Sequence, residues 1–421
     1  MSHRRRLRDA LNHVDGPVPV DFGATAVTGM HVSCVAALRD FYGLEQRPVK
    51  VHEPYQMLGF LEDDLLDAIG AGVAGLYGPR TLFGFANDGW REYALPWGQV
   101  ALVPAGFQTS PDGQGGLFIY PEGDRAAAPS GHMPAGGFFF DSIVRQPPID
   151  EDELTPEDNL EEFGPISEAD LAHFAARAEA LAATGRGVIA SFGGTGLGDI
   201  ALVPAPFLKA PKGIRDIEEW YVTTAIRQDY VHAVFAAQIE TALQNLARLA
   251  AVVGDRVDVA FTCGTDFGTQ QSTFCSERTF DSLYAPYYRR VNDWIHAHTS
   301  WKTFKHSCGA VEAFLGRFID AGFDVINPVQ CSAAGMDPCL LKKQYGAHLV
   351  FWGGGVDTQR TLPFGSPTQV RAEVLERCRT FGPGGGFVFN AVHNVQANTP
   401  VENIAAMLAA VKEYNEAKTA V

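Results

Sequence analysis

The stretch Trp301-Lys302-Thr303-Phe304-Lys305-His306-Ser307-Cys308-Gly309 decides the reading of this chain. A short strand runs into a histidine and a cysteine two residues apart, and a glycine breaks it off. Residues i and i+2 of a strand point to the same side, so imidazole and thiol leave the strand's C-terminal end together. The two make half of a tetrahedral zinc site. Alone the spacing is a weak signal, because a His-x-Cys also arises by accident.

Working outward, short apolar strands alternate with amphipathic helices. Strands are predicted over 18–22, 74–77, 187–192, 257–262, 302–306, 323–327, 348–352 and 386–390. Apolar spacing of three and four predicts helices that include 60–69, 168–183, 311–321 and 367–380, with Gly322, Gly346 and Gly382 where helices should stop. Eight strand-helix units imply an α/β fold with a parallel sheet closed into a (β/α)8 TIM barrel, a single domain over 1–421. Residues 90–146 break the rhythm. Strands are expected there over 97–103, 116–120 and 137–140, with turns at Pro111-Asp112-Gly113 and Pro121-Glu122-Gly123. They read as a β-rich insertion after the second strand, covering the mouth or supporting a partner contact. The acidic run 147–162 reads as a surface linker back to the barrel.

Bulk properties narrow the class. With 421 residues, 46% hydrophobic and 19% charged, the chain is globular rather than disordered. A formal net charge of -16 disfavours nucleic acid and anionic membranes as partners. The basic run Arg4-Arg5-Arg6, with Arg8, reads as a solvated face of the first helix. No apolar run approaches the roughly 18 to 20 residues that span a bilayer, and no apolar segment follows the N-terminal basic residues as in a secretory signal. The seven scattered cysteines read as reduced thiols in a cytoplasm.

A barrel gathers its catalytic groups at the C-terminal ends of its strands. Strand one ends in Asp21, the fourth leads to Asp266, and the fifth to His306 and Cys308. Asn327 and Gln330 follow the sixth, Trp352 and Asp357 the seventh, and Asn390, His393 and Asn394 the eighth. Any one of these serves equally well as a partner for loop backbone. Their convergence on one mouth is harder to dismiss. His306, Cys308 and His393 then supply three ligands to one zinc per chain and leave a fourth position open, the mark of a catalytic site. Cys331 and Cys263 are weaker candidates near the mouth, and Cys378 belongs to a helix. The glycine clusters at 193–196 and 353–355 match no phosphate or dinucleotide fingerprint and read as loops that let backbone approach a ligand.

Taken as a set, these motifs resemble the uroporphyrinogen decarboxylase superfamily over nearly the whole chain. The resemblance rests on Pro17-Val18-Pro19-Val20-Asp21, Ala285-Pro286-Tyr287-Tyr288-Arg289-Arg290, His306-Ser307-Cys308-Gly309, and Gly322 through Gln330. Trp352-Gly353-Gly354-Gly355-Val356-Asp357-Thr358-Gln359 and Asn398-Thr399-Pro400-Val401-Glu402-Asn403-Ile404 complete it. It implies a (β/α)8 barrel. The true decarboxylases carry an arginine near the first strand that grips porphyrinogen carboxylates. The matching stretch here, Asp21-Phe22-Gly23-Ala24-Thr25-Ala26-Val27, has none. The cobalamin-linked methyltransferase branch binds zinc through a His-x-Cys pair and a later cysteine near the final strand. This chain matches the pair with His306 and Cys308 and has His393 at the later position.

The resemblance therefore implies zinc-dependent methyl transfer between a small methylated compound or a corrinoid protein and a thiol-type acceptor. Asp21 and Asp266 are the candidate catalytic residues, and Asn327, Gln330, Trp352, Asp357 and Asn390 the candidate substrate-binding ones. Any corrinoid would be carried by a partner protein, and a homodimer is compatible with the barrel's exterior helices. Two other readings stand beside this one. One is a metal-free decarboxylase acting on a non-porphyrin carboxylate, with His393 as an acid. The other is a non-catalytic binding protein on a barrel scaffold.

Overall fold

The computed structural model describes residues 1–419. Seven strands form one parallel sheet in the order Phe387–Val388, Val350–Trp352, Val325–Asn327, Lys302–His306, Val259–Cys263, Gly187–Ser191 and Val73–Tyr77. The sheet curls until its two edges meet across the segment that holds Val20. That segment bridges Phe389 in parallel, with Asp21 N donating to Phe389 O at 2.9 Å and Phe389 N to Pro19 O at 2.8 Å. On the other side Gly72 N donates to Val20 O at 2.8 Å. The eighth stave is thus present as a bridge rather than a full strand. Proline explains the shortfall, because Pro17 and Pro19 have no N–H to give a ladder. The expected TIM-barrel architecture is what forms.

Alternation along the staves separates two cores. Val73, Ile189, Val259, Phe304, Val325, Val350, Trp352 and Val388 fill the barrel interior. Leu7 and Leu11 of the N-terminal helix His3–Leu11 join them, so this helix plugs one end. Its basic residues are not simply solvated, as the sequence suggested. Arg4 Nε lies 3.0 Å and Arg8 Nε 2.7 Å from the carboxylate of Asp258, which is itself buried. Asp258 Oδ2 also accepts from Val188 N at 3.0 Å. The run is the ionic clamp that seats the plug.

Between the Val73–Tyr77 strand and the helix Glu168–Ala182 lie two antiparallel sheets. Arg91–Ala94 pairs with Val100–Val103, and a four-stranded sheet joins Thr109–Pro111, Leu117–Ile119, Gly131–Met133 and Asp141–Ser142. The expected strand at 137–140 is instead a turn. Gly136 takes a φ of 74°, and Phe140 N donates to Tyr55 O at 2.8 Å, outside any ladder. The acidic segment after it is anchored rather than loose: Glu162 holds the buried guanidinium of Arg215, and Glu151 pairs with Arg227. After the strand Gly187–Ser191 come the helix Ile217–Ile226 and a 26-residue helix, Gln228–Val253. No helix among the described residues is long and apolar enough to cross a membrane.

The plug generates a test. Leu7 is fully buried and packs against Gly187, where a side chain has no room. Leu7→Ala should lower unfolding stability by about 3 kcal/mol in a denaturant titration. A change below about 0.5 kcal/mol would show that the plug is not part of the cooperative core.

Candidate metal centre

The strand Lys302–His306 sends Phe304 and His306 into the barrel and Lys305 outward. His306 is buried, and its Nδ1 lies 2.7 Å from Asn327 Oδ1 on the next stave. The amide's other end is already committed, since Asn327 Nδ2 donates to Trp352 O at 2.9 Å. Asn327 Oδ1 must therefore accept, His306 Nδ1 carries the proton, and Nε2 presents a bare lone pair. Cys308 Sγ lies 3.4 Å from that Nε2. The His393 ring approaches from the final stave, its centroid 5.6 Å from that of His306 at an angle of 71°. One ligand atom from each of the three lies within 4.8 Å of the others.

The turn that carries Cys308 is held by two side-chain acceptors. Cys308 N donates to Asp266 Oδ1 at 2.6 Å, and Gly309 N to Gln330 Oε1 at 2.9 Å. Gly309 has φ 87°, and a side chain there would strike the carbonyl oxygen of Gly268 at 2.5 Å. Only glycine fits.

These observations fit zinc. Two ligands of a tetrahedral zinc sit about 3.5 Å apart, close to the Cys308–His306 spacing. A metal-binding imidazole commonly donates its other nitrogen to a fixed acceptor, which is the part Asn327 plays. Burial pulls both His306 and His393 down to about 4, so each ring is neutral and offers a lone pair. Burial, and then the charge of Asp266, pushes the Cys308 thiol well up. The cation opposing that shift is Lys305. Its buried ammonium donates to the carbonyl oxygens of Thr265 and His306, the latter at 2.7 Å. Three rings surround it, Phe267 at 4.9 Å, Phe318 at 5.6 Å and Tyr288 at 5.7 Å.

Two carboxylates flank the trio. Asp266 Oδ1 lies 3.9 Å from His306 Nε2, and burial raises its pKa against the pull of the Cys308 N–H. Asp199 packs against Gly264, and burial, with Asp266 nearby, raises it to about 6. Tyr221 stacks on Phe274 at 4.6 Å, with its hydroxyl buried and unpartnered. Burial, then the charges of Asp266 and Asp199, raise that hydroxyl's pKa.

The remaining residues singled out from sequence fall into separate places. Asp21 is buried in a second constellation: Trp352 Nε1 donates to its Oδ2 at 2.9 Å, and Ala24 N to its Oδ1 at 3.1 Å. Asn390 Nδ2 donates to Asp21 O at 2.6 Å, and burial raises the carboxyl to about 7. Gln330 holds the Gly309 turn and donates to Gln270 Oε1 at 3.0 Å. Asp357 Oδ1 accepts from the amides of Gln359 and Arg360 at 2.6 and 3.1 Å, an ordinary loop cap. Asn394 holds backbone, accepting from Gly29 N and donating to Ala26 O. Cys263 lies on the outer face against Tyr288 OH at 3.0 Å, and Cys331 turns to Val329 O. Neither belongs to the trio. Sequence reasoning missed Asp199, Tyr221 and the role of Lys305. For Lys305 a signal existed: a lysine at an outward, buried position of an apolar strand needs a partner.

With the geometry in place, comparison with known proteins identifies the class. The profile of the uroporphyrinogen decarboxylase (URO-D) family matches residues 202–414, just over half of the chain. The chain belongs to the URO-D family. A uroporphyrinogen decarboxylase from Actinobacillus succinogenes is 34% identical over 91 residues, 21% of this chain and 25% of that protein. The chain thus matches about a quarter of that relative's length. Among solved structures, a methyltransferase from Methanosarcina mazei aligns over 98% of this chain and 99% of its own, with a TM-score of 0.51 and 14% identity. That likeness is one of fold.

Two outcomes test the centre. Because the imidazoles are neutral above about pH 5, zinc binding between pH 6 and 8 should release about one proton, that of Cys308. Affinity should then rise about tenfold per pH unit in that window. Release of two or more protons would contradict neutral histidines. Asn327→Leu should weaken zinc binding about 10- to 100-fold, measured by competition with a chromophoric chelator. Unchanged affinity would remove the tautomer argument.

Proposed function

We propose that this protein is a zinc-dependent methyltransferase that moves a methyl group between a small methylated compound or a corrinoid protein and a thiol-type acceptor. The observation that carries the reading is the His306–Cys308–His393 trio, a three-ligand set at the barrel's C-terminal mouth. Family membership and the fold of the Methanosarcina mazei methyltransferase support it. His306 Nε2, Cys308 Sγ and a His393 ring nitrogen would hold one zinc ion. Bound there, zinc would supply a positive charge that lowers the pKa of a thiol at its open position.

The chain's own groups do the rest. Asp266, held at the Cys308 amide and raised by burial, takes the proton that the acceptor thiol gives up. The sulfur forms a bond to the methyl carbon as the bond to the donor breaks, and the donor keeps that electron pair. Lys305 offsets the negative charge gathered by Cys308 and Asp266. Asp21, fixed by Trp352 and poised near neutrality, holds or releases a proton at the substrate's polar end. Any corrinoid arrives on a separate protein, with the antiparallel sheets of residues 91–142 as the docking surface.

A second reading, decarboxylation of a non-porphyrin carboxylate, draws on Asp21, a buried acid near pH 7, and on the Actinobacillus succinogenes relative. One experiment separates the two. Purified protein should contain about one zinc per chain, lost in His306→Ala, Cys308→Ser and His393→Ala. With methylcobalamin as donor and coenzyme M as acceptor, those variants should lose at least about a hundredfold in rate. Full activity after exhaustive chelation would overturn the proposal. Carbon dioxide release by metal-free protein, abolished in Asp21→Asn, would establish the second reading.

A further inference from the structure

A cavity of about 350 Å³ lies at the rim of the barrel's C-terminal end, and none of His306, Cys308 and His393 lines it. It sits at the C-terminal end of Val73–Tyr77, between the hairpin of Val51–Glu53 and Leu58–Gly59 and the helix Glu168–Ala182. A volume of that size falls at the lower end of small-molecule sites, which commonly join apolar walls to a few polar groups. Phe60, Tyr77 and Trp90 supply the apolar walls here.

The polar groups have a consistent sense. Arg177 is exposed at the rim and has no ion-pair or hydrogen-bond partner among the described residues. Lys50 is steadied by Glu62 Oε1 at 3.3 Å and by the rings of Phe60 and Trp90 at 6.0 and 5.9 Å. The rim also carries one acid, Asp88, and His173, whose Nε2 is engaged with Tyr77 O at 3.1 Å. Of the two cations, Lys50 is already paired with Glu62, and Arg177 is the one left to meet an anion.

His52 is the informative residue. Only 8% of it is exposed, yet neither ring nitrogen has a hydrogen-bond partner, and neither is among the sealed, unpartnered polar atoms. What little surface it keeps therefore opens on the cavity. Its ring is fixed without any hydrogen bond, edge-on to Tyr77 at 5.2 Å and to Phe60 at 5.7 Å. Burial pulls it down to about 4, so it offers one donor and one acceptor rather than a charge. A nine-tenths-buried imidazole with no protein hydrogen bond turns its free polar atoms to the cavity, where a ligand would engage them.

We propose that this cavity binds a small organic anion, a carboxylate on an aromatic or otherwise apolar body, at a site separate from the metal centre. The carboxylate pairs with Arg177 and Lys50, the body lies against Phe60, Tyr77 and Trp90, and His52 meets a polar atom of the ligand. The site does not depend on the chemistry proposed at the mouth.

Benzoate is the probe, followed by ligand-observed NMR on the full-length protein, with the neutral isostere benzamide as control. Benzoate should bind saturably, and benzamide at least about tenfold more weakly. Arg177→Met, at an exposed position, should weaken benzoate about tenfold, and Cys308→Ser should leave its binding unchanged. The inference fails if benzoate does not saturate, if benzamide binds equally well, or if Cys308→Ser abolishes binding while Arg177→Met has no effect. The last outcome would put the anion at the metal centre.

Discussion

One hydrogen bond sets the chemistry of this barrel: His306 Nδ1–H to Asn327 Oδ1. It decides which imidazole nitrogen faces Cys308, and it is itself decided by Asn327's second bond, to Trp352 O. Three adjacent staves are therefore coupled through side chains as well as through their ladder. Trp352 extends the coupling, since its indole N–H reaches Asp21 on the bridging segment that closes the barrel. The His306–Cys308–His393 trio and the buried acid are separate constellations, yet both hang on the position of one strand, Val350–Trp352.

Behind that face lies an unusual charge. Lys305 points away from the barrel interior into a pocket of Phe267, Tyr288 and Phe318, with two carbonyl oxygens for partners. A buried ammonium is costly unless nearby negative charge compensates it. Here the compensation comes from the carboxylates of Asp266 and Asp199, whose charges couple to Lys305 from the neighbouring strand ends. Lysine and site thus stabilise each other. At the opposite end, Asp258 plays the reverse part, a buried carboxylate satisfied by two arginines and an amide.

Much of this was readable in sequence, for definite reasons. Staves announce themselves by short apolar runs cut off by glycine, and a barrel sends their ends to one mouth, so the sequence brings His306, Cys308 and His393 together. Other features depend on who faces whom. Asp199 sits just past the glycine cluster at 193–196, and nothing local shows that it packs against Gly264 near Asp266. Arg4 and Arg8 look like surface charge until Asp258, some 250 residues away, is set beneath them. The strand expected over 18–22 shrinks to a bridge at Val20, because Pro17 and Pro19 lack the N–H a ladder needs. The run Gly137-Phe138-Phe139-Phe140 suggests a strand because aromatic residues favour sheets, whereas contacts of Phe138 with His31 and Trp97 hold it in a turn.

X-ray absorption at the zinc edge of the purified protein tests the central claim most directly, because it reports the ligand shell itself. The geometry predicts one sulfur at about 2.3 Å and two imidazole nitrogens at about 2.0 Å, with one further light-atom ligand. The sulfur should vanish in Cys308→Ser. Absence of zinc, or a shell with two or more sulfurs in the wild-type protein, would contradict it.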